Sequence, residues 1–465
     1  MLTTYSWHFD APRLLALAAC LSIGIAPTAR ADEKELVIEG CAVFDSESGK
    51  MLPERTIVVR GDRIVAVTAR GQAVDVPAGA ARIDGRGKFA LPGLIDAHVH
   101  LMHVLDFANV SGDEVLPLYL AAGVTSVRST GDEIVAATLI ARHATQHPGS
   151  CPRVFTCSPV LDADPPFHRD IGRGIGDPSQ VPAVLEEMRR WNVTTVKIYA
   201  RTGRAVGRSI IEEAHRRGLS VTAHLGGYPA QQAVEDGVDC LEHLTSVFDF
   251  IIPAQSTTQP VSRGDVDLNN PMCAALVAEL VKHKTYVDPT LVVLRNMILM
   301  PDANEVKNCP DNDLVPRRLR DFWPVYLRQA GCPQGGGEVA DRKRVFAKYQ
   351  ELTGMLFRAG VPLLVGTDAP EPQVTPGFSL HQELELLVES GMTPAAALSA
   401  ATLQNATALR QANRLGSIAP KKLADIVLLN ANPLDDIWHT RRIELVIRGG
   451  VVCRPADLLK LVPKE

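Results

Sequence analysis

The stretch LPGLIDAHVH, Leu91 to His100, sets Asp96, His98 and His100 on alternate positions of an otherwise apolar run. Successive side chains of an extended strand point to opposite faces, so these three share one face while Ile95, Ala97 and Val99 share the other. Two imidazoles aimed at one point suggest a metal ion, since an H-x-H pair on a strand can share a cation at the short Zn–N distance of about 2.0–2.1 Å.

Downstream, short apolar runs alternate with amphipathic stretches, the pattern of βα units and a parallel sheet. Seven more strands are expected: Gly123–Thr130, Arg153–Val160, Thr194–Ala200, Ser220–Gly226, Asp239–Thr245, Thr285–Val292 and Pro362–Pro370. With the first they make eight, the number a closed barrel needs. Two polar stretches broken by Pro and Gly, about Pro253–Pro271 and Pro301–Gly337, are too long for plain connections and read as lids or binding loops.

Both chain ends read differently. ELVIEGCAVFD, RTIVVRGDRIVAVT and ARIDGRGKFALPG near one end, and ADIVLLNANP and RIELVIRGGVVCRP near the other, are strand-like runs separated by turns, with Gly61-Asp62 a hairpin signal. The expected α/β architecture is a (β/α)8 TIM barrel over residues 91–414 with a small β-sandwich built from residues 32–90 and 415–465.

Length and composition agree: 465 residues at 46% hydrophobic content support a sizeable core. A net charge of -5 offers no broad cationic surface, which argues against nucleic acid as a partner and leaves a small-molecule substrate. Residues 1–31 read as a signal peptide: Arg13 precedes an apolar run, and Ala29 and Ala31 occupy small-residue positions before Asp32. The run is shorter than the roughly 20 apolar residues of a bilayer span, so no stable membrane span is expected, and the protein is read as periplasmic or secreted. A lipoprotein box ending at Cys20 is the weaker alternative. Of the eight cysteines that follow, Cys309/Cys332 and Cys41/Cys453 are the pairs to test for disulfides, with buried free thiols the other reading.

Chemistry-bearing residues gather at the carboxyl ends of the expected strands: His98 and His100 on the first, Lys197 on the fourth, His224 on the fifth, His243 on the sixth and Asp368 on the eighth. That is the face on which barrel enzymes build their sites. Lys197 lies between Val196 and Ile198, so its amine points into the barrel, where an unpaired ammonium needs an anion, a lowered pKa or covalent modification.

GLIDAHVHL, VKIYA, TAHLGG, CLEHL and VGTDAPEP, in that order, resemble the metal-binding motifs of the amidohydrolase superfamily, in the group whose two metals are bridged by a carboxylated lysine. The resemblance runs from about Glu35 to Arg454. It implies that His98, His100 and Asp368 hold the more buried metal, that His224 and His243 hold the second, and that Lys197, as N6-carboxylysine, bridges them. Zinc is the first expectation for both divalent ions, with manganese, cobalt or iron compatible. The implied reaction is hydrolysis of an amide-like C–N bond by a metal-bridging hydroxide, with Asp368 as general base.

Within the superfamily, VKIYARTG and AHLGGYPAQQAVEDGVDCLEH look most like the imidazolonepropionase and metal-dependent prolidase group, which implies Xaa-Pro or other dipeptides, N-acyl amino acids or cyclic amides as substrates. The sequence departs from that group at Leu225 and Leu244 beside the ligands and at Lys421-Lys422, in a turn that usually contains glycine. Tyr199, Tyr228, His381 and Arg128 are the candidate substrate contacts, Arg128 as a carboxylate clamp. Two alternatives stay open: a phosphotriesterase or lactonase on the same site, and a non-catalytic scaffold. Assembly as a homo-oligomer is left open.

Overall fold

The computed structural model describes residues 35–73, 75–76, 79–252, 262–299, 311–329 and 339–465. The expected presequence with Cys20, the Cys309/Cys332 pair and much of the two Pro- and Gly-broken stretches lie outside the described residues.

Seven parallel strands form the barrel wall: β6 (Leu94–Val99), β7 (Val124–Ser129), β8 (Arg153–Asp162), β10 (Thr195–Ile198), β11 (Ser220–Ala223), β12 (Cys240–Glu242) and β13 (Tyr286–Asp288), with β9 (Gly172–Gly174) appended to β8. The eighth stave, residues 362–369, is irregular but closes the cylinder. Parallel bridges join Leu363 to Val287 and Ala369 to Val99, and Asp368 N–H donates to the His98 carbonyl at 2.8 Å. Gly366 is what lets this stave pack so closely on its neighbours: a Cβ at that position would lie 2.2 Å from Asp288 Oδ2 and 2.5 Å from His98 Cβ.

Asn405, buried outside the wall, stitches this seam. Its Nδ2 donates to the Ile95 carbonyl at 2.8 Å and the Val365 carbonyl at 2.9 Å, and its Oδ1 accepts from Val365 N–H at 3.1 Å. Asn405→Ala strands buried backbone groups on two staves, and a loss of about 2–4 kcal/mol in unfolding free energy is expected, read as a lowered urea midpoint at unchanged slope.

A second sheet comes from the two chain ends: β1 (Glu35–Asp45), β2 (Lys50–Arg60), β3 (Arg63–Ala69), β4 (Ala81–Asp84) and β5 (Phe89–Pro92) with β14 (Ile426–Leu429), β15 (Ile443–Arg448) and β16 (Val451–Cys453). The Gly61-Asp62 hairpin is present, pairing Arg60 with Arg63. The Arg63–Leu423 bridge folds the sheet back on itself around a core that includes Ile38, Ile57, Ile64, Ile426 and Ile447. The transition between sheets falls at Gly93, inside the opening motif. Pro92 pairs antiparallel with Ile426, whereas Leu94 pairs parallel with Val124. A Cβ on Gly93 would lie 2.0 Å from Thr125 Oγ1.

Two expectations are corrected. Cys41 and Cys453 are buried free thiols: Cys453 Sγ donates to the Gly149 carbonyl at 3.3 Å, and the Cys41 side chain packs within the end sheet. The stretch expected to be irregular from Pro301 to Gly337 contains the helix Arg317–Gln329, whose Trp323 is 2% exposed. Among the described residues no helix is long and apolar enough to cross a membrane.

Candidate metal centre

Three histidines turn the same ring atom toward one carboxylate. His98 Nε2 and His100 Nε2 each lie 3.3 Å from Asp368 Oδ1, and His243 Nε2 lies 3.7 Å from Asp368 Oδ2. Each Nδ1 faces a support behind it: Glu242 Oε2 at 2.8 Å for His98, Thr290 Oγ1 at 2.7 Å for His243, and Asp132 Oδ1 at 3.5 Å for His100. A carboxylate behind Nδ1 fixes the tautomer that leaves the Nε2 lone pair facing inward, the usual arrangement behind metal-binding histidines. His98 Nε2 is buried without a hydrogen-bond partner, an orphan acceptor that a divalent cation would satisfy. The donor atoms of His98, His100 and Asp368 lie within 4.8 Å of one another.

Strand alternation alone would not assemble this set. Glu242 belongs to β12 and faces inward, so the next residue, His243, should face outward. Its backbone adopts φ 62°, and Asp368 adopts φ 64°, so both side chains are swung back to the barrel mouth. Non-glycine residues in that region cost on the order of 1–3 kcal/mol and concentrate at functional sites.

Lys197 and His224 complete the cluster. Lys197 is 1% exposed on β10, and burial pushes its ammonium below the usual lysine range. The His224 ring centroid lies 4.7 Å from that of His243 and 5.0 Å from that of Tyr199. Burial, aided by the Lys197 charge, lowers His224 to about 3, and burial likewise lowers His98 and His243, so these imidazoles are neutral, the form a metal requires. His100 differs. Burial opposes its charge, but Asp132 and Asp368 outweigh it and lift the ring to about 10, a demand for positive charge that a divalent cation would meet.

Beneath the histidines is a buried polar layer centred on Glu242, to which the sequence reading assigns no role. Arg128 donates to Glu242 Oε1 at 2.6 Å and to the Ala97 carbonyl at 2.5 Å, and Thr222 donates to the same carboxylate. Although burial works against ionisation of Glu242, Arg128, His98 and Lys197 hold its carboxyl well below the ordinary range. Asp288 lies beside it, 3.8 Å from His98 Nδ1. Asp96 accepts from Thr367 Oγ1 at 2.7 Å and steadies the eighth stave.

Three of the four residues expected to read the substrate are engaged elsewhere. Arg128, 3% exposed, is held by Glu242 below the histidines. Tyr228 donates to Asp236 at 2.6 Å on the helix side of the wall, and His381 is buried between Thr440 Oγ1 (2.9 Å) and the Ala122 carbonyl (3.0 Å). Only Tyr199 stays at the mouth, its hydroxyl 3.0 Å from His168 Nε2. His103, His168 and Asp170 form a further group there, with His103 Nδ1 2.8 Å from Asp170 Oδ2. Glu242 adjoins a histidine motif and was legible as a neighbour. The loop residues His103, His168 and Asp170 carry no spacing that announces them.

The amidohydrolase family matches residues 89–453, most of the chain. The imidazolonepropionase of Anaeromyxobacter dehalogenans (strain 2CP-1 / ATCC BAA-258) is 24% identical over 94% of this chain and 99% of its own length. That of Geobacillus kaustophilus (strain HTA426) is 39% identical over 101 residues, 21% of this chain and 24% of its own length. Among solved structures, a prolidase complexed with N-methylphosphonate-L-proline superposes with a TM-score of 0.68 at 24% identity, covering 90% of this chain and 100% of that one. A Xaa-Pro dipeptidase with methionine bound in its active site gives 0.66 at 19% identity, over 90% and 99%. With the family match spanning the barrel and the closing strands of the end sheet, this chain belongs to the amidohydrolase family and is a metal-dependent hydrolase of carbon–nitrogen bonds.

Proposed function

We propose that the protein cleaves the amide bond of a dipeptide such as Xaa-Pro, an N-acyl amino acid or a cyclic amide. In this reading His98, His100 and Asp368 hold one zinc ion, His224 and His243 hold a second, and Lys197, as its carbamate, supplies oxygens to both. The observation that carries it is the convergence of three Nε2 atoms on the two oxygens of Asp368. Relatives described as imidazolonepropionases and neighbours described as prolidases support the bond type.

When bound, the divalent ions supply Lewis acidity toward the substrate carbonyl and make water available as a nucleophile near neutral pH. The chain's own part is proton handling and enclosure. Although burial opposes its charge, Asp368 has its carboxyl held well below the ordinary range, and His100, lifted to about 10, gives it a charged partner at neutral pH. Asp368 accepts a proton from the attacking water and delivers it to the departing nitrogen, which then leaves as an amine. Helix Arg317–Gln329 covers the mouth: Trp323 Nε1 donates to the Pro370 carbonyl at 3.0 Å, and Phe107, Phe322 and Tyr326 form an aromatic rim for an apolar substrate group.

Metal analysis with a panel of Xaa-Pro dipeptides, N-acyl amino acids, cyclic amides and a phosphotriester tests this reading. Two ions per chain and turnover within the first three classes are expected. Turnover of the phosphotriester alone, or purified protein that takes up no metal, overturns it. Export is proposed on the N-terminal pattern, and an N-terminus beginning at Asp32 in the mature protein is its test.

A further inference from the structure

Glu371 is a carboxylate whose placement the metal centre does not explain. It follows Asp368 by three residues, its backbone N–H donates to the Asp368 carbonyl at 3.0 Å to close a tight turn, and its carboxyl neighbours Asp368, His103, His100 and Tyr326 at the barrel mouth. Across such a turn the Cα atoms are less than about 7 Å apart. The residue is 7% exposed, and its Oε2 is buried without a hydrogen-bond partner. A buried carboxylate oxygen left bare is costly unless a donor reaches it.

After burial, the groups acting on Glu371 most strongly are Asp368, His103, His100 and Tyr326, the last by a hydrogen bond, and none of them is a lysine or arginine. Both imidazoles are already occupied: His103 lies between Asp170 Oδ2 at 2.8 Å and the Tyr326 hydroxyl at 3.3 Å, and His100 between Asp132 and Asp368.

We infer that Glu371 is a specificity-determining residue that receives the α-ammonium group of the substrate, so that the site takes dipeptides with a free amino terminus in preference to N-acylated or cyclic amides. The inference rests on the amide-hydrolase reading and narrows it. In a dipeptide the amino nitrogen is only about 2.5 Å from the scissile carbonyl carbon, given ordinary N–Cα and Cα–C bonds. A substrate whose carbonyl lies beside Asp368 therefore carries its ammonium into the neighbourhood of the next carboxylate along the turn. Acylation removes that charge and leaves the carboxylate facing an uncharged amide.

The test uses the full chain loaded with zinc, with glycyl-proline and leucyl-alanine against their N-acetyl counterparts, in wild type and Glu371→Gln, by turnover and binding calorimetry. Glutamine keeps the volume of the side chain, and an unchanged melting temperature verifies the fold. Wild type is expected to prefer the free amines. The substitution should lower kcat/KM for them about 100-fold, through KM, and change the N-acetyl values less than about threefold. Glu371→Asp should recover part of the loss. Equal wild-type use of both forms, or an equal loss on both in Glu371→Gln, overturns the inference and leaves the amide-hydrolase reading standing. If wild type hydrolyses none of the four and none of the wider panel, that reading falls and calorimetry decides the inference alone. Free amines bound at least about tenfold tighter, with the difference lost in Glu371→Gln, uphold it, and equal or absent binding overturns it.

Discussion

Lys197→Ala is expected to lose bound metal and activity together, with kcat/KM falling by about a thousandfold or more. The physical basis is the position of the amine. It is 1% exposed on a barrel strand, and burial has already lowered its affinity for a proton. As the proposed carbamate it would be an anion with two ligand oxygens; truncated to a methyl group it would offer none, and several kcal/mol of charge stabilisation would disappear, at about 1.4 kcal/mol per factor of ten. A cavity left by the missing chain also destabilises the barrel, by about 2–4 kcal/mol. Lys197→Met separates the two effects, because it fills the volume and still offers no oxygen. Both variants should show the same metal deficit by elemental analysis and the fall in melting temperature that goes with it, and alanine should melt lower than methionine because of its cavity. A normal metal count with wild-type turnover in either variant would refute the bridging role.

Asp368→Asn is expected to lower kcat by about 10²–10⁴-fold, the usual size of a lost acid–base group. The amide is nearly the same size, and asparagine tolerates the left-handed backbone required at this position better than most residues, so the eighth stave should keep its path. What the amide lacks is the negative charge that three imidazoles face, and with it any capacity to carry a proton between water and leaving nitrogen. Single-turnover kinetics on protein matched for metal content would show the loss in the chemical step. Activity within tenfold of wild type would remove Asp368 from that role.

The eight staves and the six polar residues at their ends were legible because alternation and strand-end position survive in a single sequence. His98, His100 and Lys197 occupy inward positions that parity alone identifies. What was not legible follows from backbone geometry and long-range pairing. The left-handed turns at His243 and Asp368 break parity, so Glu242 and His243, adjacent in sequence, both serve the barrel interior. Arg128 looked like a carboxylate clamp because nothing in its own strand announces Glu242 from β12 as its partner. Tyr228 and His381 were not legible as bonded side chains for the same reason: their partners, Asp236 and Thr440, come from other elements of the fold. Lys421, by contrast, was flagged as standing where a glycine is usual, and its φ of 75° gives the cause.

The pairing of β5 with β14 makes the end sheet a late event in biosynthesis. Residues 93–425 must be translated between the two partners. At about 5–20 residues per second the apolar edge of β5 waits roughly 20–70 s for its neighbour. During that interval the nascent chain presents a strand edge open to foreign pairing, the exposure that invites aggregation. Slow ribosomes and missing chaperones should therefore harm the yield of this protein more than that of one whose sheets close between neighbours in sequence.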